Sequence, residues 1–249
     1  MISKSQATLI RQLESKKYRT RYALFVAEGP KVVGDLLAEG WAPHSIFMTE
    51  DCTLQVSESI AITADELKRI SFLQHPQQVV ALFRLPVTEE CPRVEGLSLV
   101  LDGVQDPGNL GTIIRIADWF DIRTIYCSAD TADCWNPKVV QATMGSIARV
   151  NVVYTDIVKL LTETQLPVYG TMLDGKDIYT EELTSNGLIV MGNEGNGISL
   201  PVRSLIERRL LIPCYASEAR SHHAESLNVS IATAIVCSEF RRRMQTPCK

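Results

Sequence analysis

The chain has 249 residues, of which 45% are hydrophobic and 22% charged, and its formal net charge at pH 7 is −4. These values are ordinary for a globular protein, and the length allows one large core or two modest ones. The sequence shows no apolar run near the roughly 20 residues that cross a bilayer, and its polar start lacks the apolar core of a signal peptide. We therefore expect no membrane partner and a cytoplasmic location.

The cysteines do not have the spacing of a disulfide framework or a zinc knuckle. Their number is odd, and no two form a C-x-x-C pair. The seven are Cys52, Cys91, Cys127, Cys134, Cys214, Cys237 and Cys248. Cys127 and Cys237 fall in apolar runs, which predicts buried, reduced thiols. We predict no metal site.

Charge is distributed unevenly along the chain. Residues 1–31 hold seven Lys or Arg against two acidic residues, a balance of +5, whereas residues 32–100 hold four basic against ten acidic, a balance of −6. Such asymmetry is typical of a protein that meets a polyanion at a local patch. Taken alone, the basic segment is explained more simply as a solvated helix face.

The first third of the chain alternates helical and strand patterns and predicts a small α/β domain. Its predicted elements are helix 2–14, strand 23–27, helix 30–39, strand 45–48, helix 64–70 and strand 79–83. A polar stretch bounded by prolines, residues 86–96, is the linker candidate. We place the boundary there, with domains at 1–92 and 93–249.

Beyond residue 96 the pattern becomes a β–α repeat. The predicted elements are strand 97–101, helix 110–119, strand 123–127, helix 137–148, strand 151–154, helix 156–162, strand 167–172, strand 187–191, strand 209–213 and helix 227–242. Continuous apolar strands separated by helices predict a parallel sheet covered on both faces. No internal repeat is visible.

Three polar segments in this second region predict one composite site. They are Asn109–Arg115, Gly192–Gly197 and Glu225–Ser230. The first follows a short buried strand and a turn-forming run, at the start of a predicted helix. Loops of this kind offer backbone N–H groups and a helix N-terminus, where nucleotides and anions bind.

Together, and in this order, the three segments resemble the motifs of the SpoU-type (TrmH-like) RNA 2′-O-methyltransferases of the SPOUT superfamily, over Leu97–Arg243. Ser3–Gly40 resembles the small RNA-binding domain that many members carry, with the fold of ribosomal protein L30e. The resemblance implies a deep trefoil knot in the C-terminal domain. Physical rules alone favour an unknotted doubly wound fold, because knots are rare.

The resemblance implies methyl transfer from S-adenosylmethionine to a ribose 2′-hydroxyl of ribosomal or transfer RNA. The implied cofactor-binding residues are Thr171, Met191, Gly192, Gly197, Ile212 and Leu227. Glycines at 192, 195 and 197 would let the backbone approach an adenine ring. Their order is G-x-x-G-x-G, which counts against a nicotinamide enzyme. For the side chains of Ile212 and Leu227, core packing is the alternative.

The implied catalytic residues are Asn109, Arg115, Glu194, Ser226 and Asn228. The planar fork of Arg115 suits a phosphate-flanked ribose. In the resembling family this arginine is proposed to accept the hydroxyl proton, but a pKa above about 12 makes arginine a very poor base. Positioning and charge stabilisation, or a plain surface arginine, are the alternatives. Glu194 is predicted to pair with Arg115, and Ser226 to cap the last helix.

RNA phosphates are expected to bind the basic N-terminal residues Lys16, Lys17, Arg19 and Arg21. One departure from the family pattern is a longer loop, residues 214–224, before the third motif. Its His222-His223 pair invites a metal interpretation, but adjacent histidines without other ligands are more often polar loop residues. A catalytically decayed RNA-binding protein in RNA maturation is the alternative function.

A homodimer is the last expectation, because partner chains complete each other's sites in the resembling family. The final helix has a broad apolar surface that a two-fold dimer would bury. Its apolar residues are Val229, Ile231, Ala232, Ile235 and Val236. Packing within the chain is the alternative explanation. The sequence does not identify which RNA or nucleotide is modified.

Overall fold

The computed structural model describes residues 1–86, 95–215 and 226–244. Contacts divide the chain into two units, Met1–Glu89 with Asp133–Arg149, and Glu90–Ala132 with Val150–Lys249. The first unit therefore includes a segment far from it in sequence. Most of the predicted linker lies outside the described residues, and the boundary near residue 92 stays a prediction.

The helices and strands follow the predicted alternation. In chain order they are α1 (Lys4–Gln12), α2 (Lys16–Tyr22), β1 (Leu24–Glu28), α3 (Pro30–Ala38), β2 (Pro43–Met48), β3 (Ile60–Ala61), α4 (Ala64–Ile70), β4 (Val79–Arg84), β5 (Leu97–Asp102), α5 (Pro107–Trp119), β6 (Thr124–Cys127), α6 (Pro137–Ala142), β7 (Asn151–Tyr154), α7 (Ile157–Glu163), β8 (Val168–Asp177), β9 (Gly187–Gly192), α8 (Leu200–Arg203), β10 (Arg208–Leu211) and α9 (Val229–Arg243).

The first unit is built on a four-stranded sheet in the order β1-β4-β2-β3. β4 pairs antiparallel with both β1 and β2, while β2 and β3 are parallel. Capping boxes at Ser3 and Thr63 start α1 and α4, since each side chain accepts from the backbone three residues on. The apolar core of this unit lies between these helices and the sheet. It contains Ile10, Leu13, Phe47, Ile70 and Leu82, among others.

The segment 133–149 supplies side chains to the interior of the first unit. The Trp135 ring lies 4.6 Å from the Phe25 ring and 5.7 Å from the Trp41 ring, centroid to centroid. Asp133 Oδ2 accepts from Arg19 Nη2 at 2.5 Å. Aromatic clusters of this kind bury large apolar areas in favourable ring geometries. The segment is therefore part of the core of this unit.

The second unit has a six-stranded sheet in the order β10-β8-β9-β5-β6-β7. Every strand pairing described in it is parallel. This confirms the predicted parallel-sheet domain. Because all strands run the same way, the ends of β8, β9 and β5 share one edge of the sheet, and loops leaving that edge meet.

Some elements differ from the prediction. The predicted helix 137–148 is interrupted, because Met144 (φ 52°) and Gly145 (φ 97°) adopt left-handed conformations between α6 and a 3₁₀ turn at Ser146–Ala148. Helices α2 and α8 and the short strand β3 were not predicted. Cys127 and Cys237 are fully buried, as predicted, and Cys91 and Cys248 lie outside the described residues. Across the part of the chain described, no helix has the length and apolar character needed to span a membrane.

Candidate active site

The first motif begins at the N-terminus of α5. Asp106 is the N-cap, and its Oδ1 accepts from the Asn109 backbone N at 2.8 Å. Pro107 follows at the first helical position, where its missing N–H costs nothing. This local arrangement fixes the backbone of Asn109 beside the end of β5, with its side chain left to bond elsewhere.

Three of the predicted catalytic residues form one hydrogen-bond network. Asn228 Nδ2 donates to Asn109 Oδ1 at 2.9 Å, and Asn109 Nδ2 donates to Glu194 Oε1 at 2.9 Å. Asn228 Oδ1 is already engaged, because it accepts from the backbone N of Ser230 at 2.9 Å. These bonds fix the orientation of both amides. Because the Asn228 oxygen caps the helix, its NH₂ group is the one that donates to Asn109. Because the Glu194 carboxylate can only accept, the NH₂ group of Asn109 must point towards it. All three motifs thus meet at Asn109.

The second motif is shaped by Asn193, which the sequence reasoning did not single out. Its Oδ1 accepts from the backbone N of Gly195 at 2.9 Å and of Asn196 at 3.0 Å, and its Nδ2 donates to Gly103 O at 2.7 Å. Backbone bonds in both directions join Asn193 to Gly197. Asparagine side chains often form turns by accepting from the backbone two residues further on. The Asn-Glu-Gly order at 193–195 is the sequence pattern that could have predicted this turn.

The glycines of this loop have different structural roles. A Cβ on Gly192 would lie less than 3.0 Å from the backbone of Gly197 and Ile198, and Gly197 has φ +69°. Among the residues that the structure describes, a Cβ on Gly195 would come within 4 Å of Asn193 Oδ1 alone, at 3.5 Å. Glycine at 192 and 197 is therefore required by the closure of the loop on itself, whatever the loop binds.

Two predicted contacts are wrong. Glu194 bonds to Asn109 rather than to Arg115, whose exposed guanidinium has no ion pair with any residue in the described ranges. The N-cap of α9 is Asn228, not Ser226, which is exposed. Serine and asparagine are equally good caps, so composition did not separate these two positions.

The predicted cofactor-binding residues lie at the same sheet edge. Thr171 Oγ1 donates to Met191 Sδ at 3.6 Å. This side-chain contact lies just beyond the last backbone pair of β8 with β9, Gly170 with Val190. Residues 171–175 form a bulge in the pairing of β8 with β10, because Gly170 pairs with Arg209 and the next pair is Lys176 with Leu210. Ile212 is half-buried directly after β10. Leu227 is 51% exposed, so packing within the described chain does not account for its side chain.

The predicted RNA-binding residues lie on α2, in the first unit. Lys16, Lys17 and Arg21 are exposed. Arg19 is only 2% exposed, and its Nη1 donates to the carbonyls of Leu13 and Glu14, each at 2.7 Å. The expectation that Arg19 presents its charge to RNA is wrong, because a buried guanidinium bonded in this way is a structural anchor.

The other predicted features of the site are partly outside the described residues. Glu225, His222 and His223 fall there, as does most of the loop 214–224. Within the ranges that are described, no group of three or more His, Cys, Asp or Glu side chains is arranged to hold a metal ion.

The second unit is a parallel α/β sheet whose three motif loops meet at the end where such sheets bind nucleotides and related cofactors. Its sequence matches the profile of the SpoU rRNA Methylase family over residues 96–238. The chain belongs to that family. Residues 5–81 match the MRM3-like substrate binding domain.

Individual relatives match along almost the whole chain. A solved TrmH-family protein from Porphyromonas gingivalis is 43% identical, with a TM-score of 0.86 over 98% of this chain and 99% of that one. An AdoMet-bound rRNA methyltransferase from Sinorhizobium meliloti is 28% identical, with a TM-score of 0.83 over 99% and 98%. A 23S rRNA (guanosine(2553)-2′-O)-methyltransferase from Bacillus subtilis is 29% identical, covering 93% of this chain and 94% of its own.

Proposed function

We propose that this chain methylates a ribose 2′-hydroxyl of ribosomal or transfer RNA, using S-adenosylmethionine. The observation that carries the proposal is the bonded series Asn228–Asn109–Glu194, which unites the three family motifs. The named relatives from Bacillus and Sinorhizobium are rRNA methyltransferases, so ribosomal RNA is the first substrate to test. A decayed, purely RNA-binding role is not favoured.

The residues at the sheet edge fit S-adenosylmethionine. The loop closed at Gly192 and Gly197 lies beside the ends of the strands, where its backbone can approach a ligand closely, and Leu227 offers an exposed apolar surface. We assign the adenosine to main-chain groups of Met191, Gly192 and Leu227, with Thr171, Gly197 and Ile212 completing the pocket. When bound, the cofactor supplies a sulfonium methyl group for in-line displacement.

The polar residues would position the ribose. The carboxamides of Asn109 and Asn228 are held rigidly by each other, and Glu194 limits the rotation of Asn109. Arg115 is exposed and can grip an RNA phosphate bidentately. Because a guanidinium is a very poor base, we assign it positioning and charge stabilisation rather than proton abstraction. Ser226 remains a candidate ribose contact.

The test is Arg115→Ala. We expect S-adenosylmethionine affinity to hold in isothermal titration, while transfer of tritiated methyl groups to ribosomal RNA fragments falls by orders of magnitude. Arg115→Lys is the matched control, and it should also be poor because a point charge does not reproduce the fork. Wild-type methylation by Arg115→Ala would remove the assignment. Absence of any cofactor binding by the unaltered chain would favour the decayed alternative.

We also propose the finer structural features that family membership implies: a trefoil knot in the domain 93–249, an L30e-like domain at 1–92, and a homodimer. For the dimer, Trp119 on α5 and Ile231 on α9 are 84% and 52% exposed. Val229 and Val236 are buried within the chain, so intrachain packing accounts for part of the apolar surface of α9. Light scattering should give a mass near twice 27.7 kDa, and a fully active monomer would reject a shared site. We further propose that the enzyme acts in the cytoplasm.

A further inference from the structure

We propose that Tyr18 and Tyr22 on α2 form a stacking platform for unpaired bases of the RNA substrate. This inference rests on the proposed function, because it names the form of RNA that the first unit takes. Together with their cationic neighbours Lys17 and Arg21, the two residues form the tyrosine platform.

The two rings lie on one face of α2, since they are four residues apart. Their centroids are 6.2 Å apart, and their planes are within 12° of parallel. Tyr22 is 38% exposed, and Tyr18 is half-buried. The phenol of Tyr22 is 3.4 Å from Gln12 Oε1, which leaves its ring, not its hydroxyl, as the main surface offered to a ligand.

Each ring has a cation beside it. Lys17 Nζ lies 5.9 Å from the Tyr18 centroid, and Arg21 Cζ lies 5.6 Å from the Tyr22 centroid. Both cations are exposed on flexible side chains, so they can turn from the rings towards phosphates when a strand binds. Aromatic faces with adjacent basic side chains are the combination that binds single-stranded nucleic acid, since bases stack on the rings and cations follow the backbone.

The helix that carries the platform is held in place by the buried side chain of Arg19. Arg19 lies between the two tyrosines in the sequence. Its guanidinium donates to Leu13 O, Glu14 O and Asp133 Oδ2. A short helix of seven residues would otherwise fray. The ordering cost is therefore met in the free protein, which favours binding through preorganisation.

The same geometry favours unpaired over paired RNA. In a duplex the faces of the bases are covered by their neighbours, so proteins contact phosphates and 2′-hydroxyls instead. An unpaired loop or bulge exposes base faces that tyrosine and arginine planes can cover. We therefore expect the platform to distinguish the two forms of RNA.

The test compares ring variants on two RNA probes, with the full chain. The probes are a fluorescein-labelled oligoadenylate of about 12 nucleotides and a duplex of the same length, read by fluorescence polarisation. Tyr18→Leu with Tyr22→Leu should bind the single strand about fivefold to a hundredfold more weakly, the range for loss of base stacking. The matched control, Tyr18→Phe with Tyr22→Phe, should bind like the unaltered chain. All three proteins should bind the duplex equally.

Equal loss on both probes, or no loss on either, would overturn the platform. If the leucine variants do not fold, a strand carrying 5-bromouridine can be cross-linked to the unaltered chain, and mass spectrometry should then locate the adduct on Tyr18 or Tyr22. Adducts found only elsewhere would also overturn it. If the unaltered chain methylates ribosomal RNA but the leucine variants bind the single strand as tightly as it does, the platform is rejected and the proposed function stands. If single-strand binding depends on the tyrosines but the unaltered chain transfers no methyl group, the proposed function is rejected and the platform stands.

Discussion

Reversing the hydrogen bond between Asn109 and Glu194 tests whether the three motif loops depend on each other. Asn109→Asp keeps the size of the side chain but places a carboxylate oxygen 2.9 Å from Glu194 Oε1, where an amide now donates. The second change, Glu194→Gln, supplies an amide that can donate to the new carboxylate. Asn228 can still donate to position 109 in every variant. The double variant therefore restores the network with the donor and acceptor exchanged.

The magnitude follows from the contact. Two unit charges 2.9 Å apart repel by about 1.4 kcal/mol in a water-like dielectric, and the lost hydrogen bond contributes about 0.5–1.5 kcal/mol. Glu194 is exposed and can rotate away, so we expect a net cost of about 1–2 kcal/mol for Asn109→Asp. That corresponds to a melting temperature lower by about 2–8 °C for a chain of this size. It also corresponds to S-adenosylmethionine affinity lower by about fivefold to thirtyfold, if loop closure is needed for binding.

Differential scanning calorimetry and isothermal titration measure both effects. Methyl transfer is not the readout, because Asn109 is itself a proposed catalytic residue. Glu194→Gln alone should change the melting temperature and the cofactor affinity little, since its amide oxygen can accept from Asn109 as the carboxylate does. The double variant should regain most of the loss. The reasoning is refuted if the double variant is no better than Asn109→Asp, or if Asn109→Asp changes neither quantity.

Three further perturbations follow from the structure. Gly192→Ala should abolish cofactor binding in titration, because its Cβ would press on the backbone of the same loop, whereas Gly195→Ala has room and should be tolerated. Burial raises the pKa of Glu28 above its ordinary 4.5, so the stability that its protonated form gives is complete below that value and is lost as pH rises through the raised pKa. Urea unfolding should show this loss in the unaltered chain and not in Glu28→Gln. Burial also raises the pKa of Cys237 to about 12, so iodoacetamide should label it only after unfolding.

Each of these has a contrary outcome. Equal cofactor affinity for the two glycine variants would mean that the loop opens without cost. For Glu28, Ser71 and the Phe72 backbone donate to the carboxylate, and glutamine can still accept one of these bonds. A pH profile for Glu28→Gln identical to that of the unaltered chain would assign the dependence to another group. Rapid labelling of Cys237 in native buffer would show that α9 opens.

The parallel sheet was predictable because its strands are buried on both faces. Leu97–Asp102 is buried at every residue, and a continuous apolar run is the sequence sign of that environment. The meeting of the motif loops was predictable for the same reason, since loops that leave one edge of a parallel sheet are neighbours. The hydrophobic pattern did not predict which side chains would hydrogen-bond to each other within the site.

The missed contacts depend on tertiary geometry. Arg19 looked like its basic neighbours on α2, but its guanidinium donates to the carbonyls of Leu13 and Glu14 and to Asp133 from a distant segment, which makes it an internal anchor. Glu194 was predicted to pair with Arg115, but the helix cap at Asp106 fixes Asn109 nearby, and Asn109 is the residue that donates to it. The break after α6 was not predicted, because Met144 is an unusual residue at positive φ.

The placement of residues 133–149 limits how this protein can be recombined. A graft that exchanged only the N-terminal sequence for a different domain would leave Trp135 facing a foreign surface in place of Phe25 and Trp41. It would also leave Asp133 without the guanidinium it now accepts from. A successful chimera must transplant two separate stretches together.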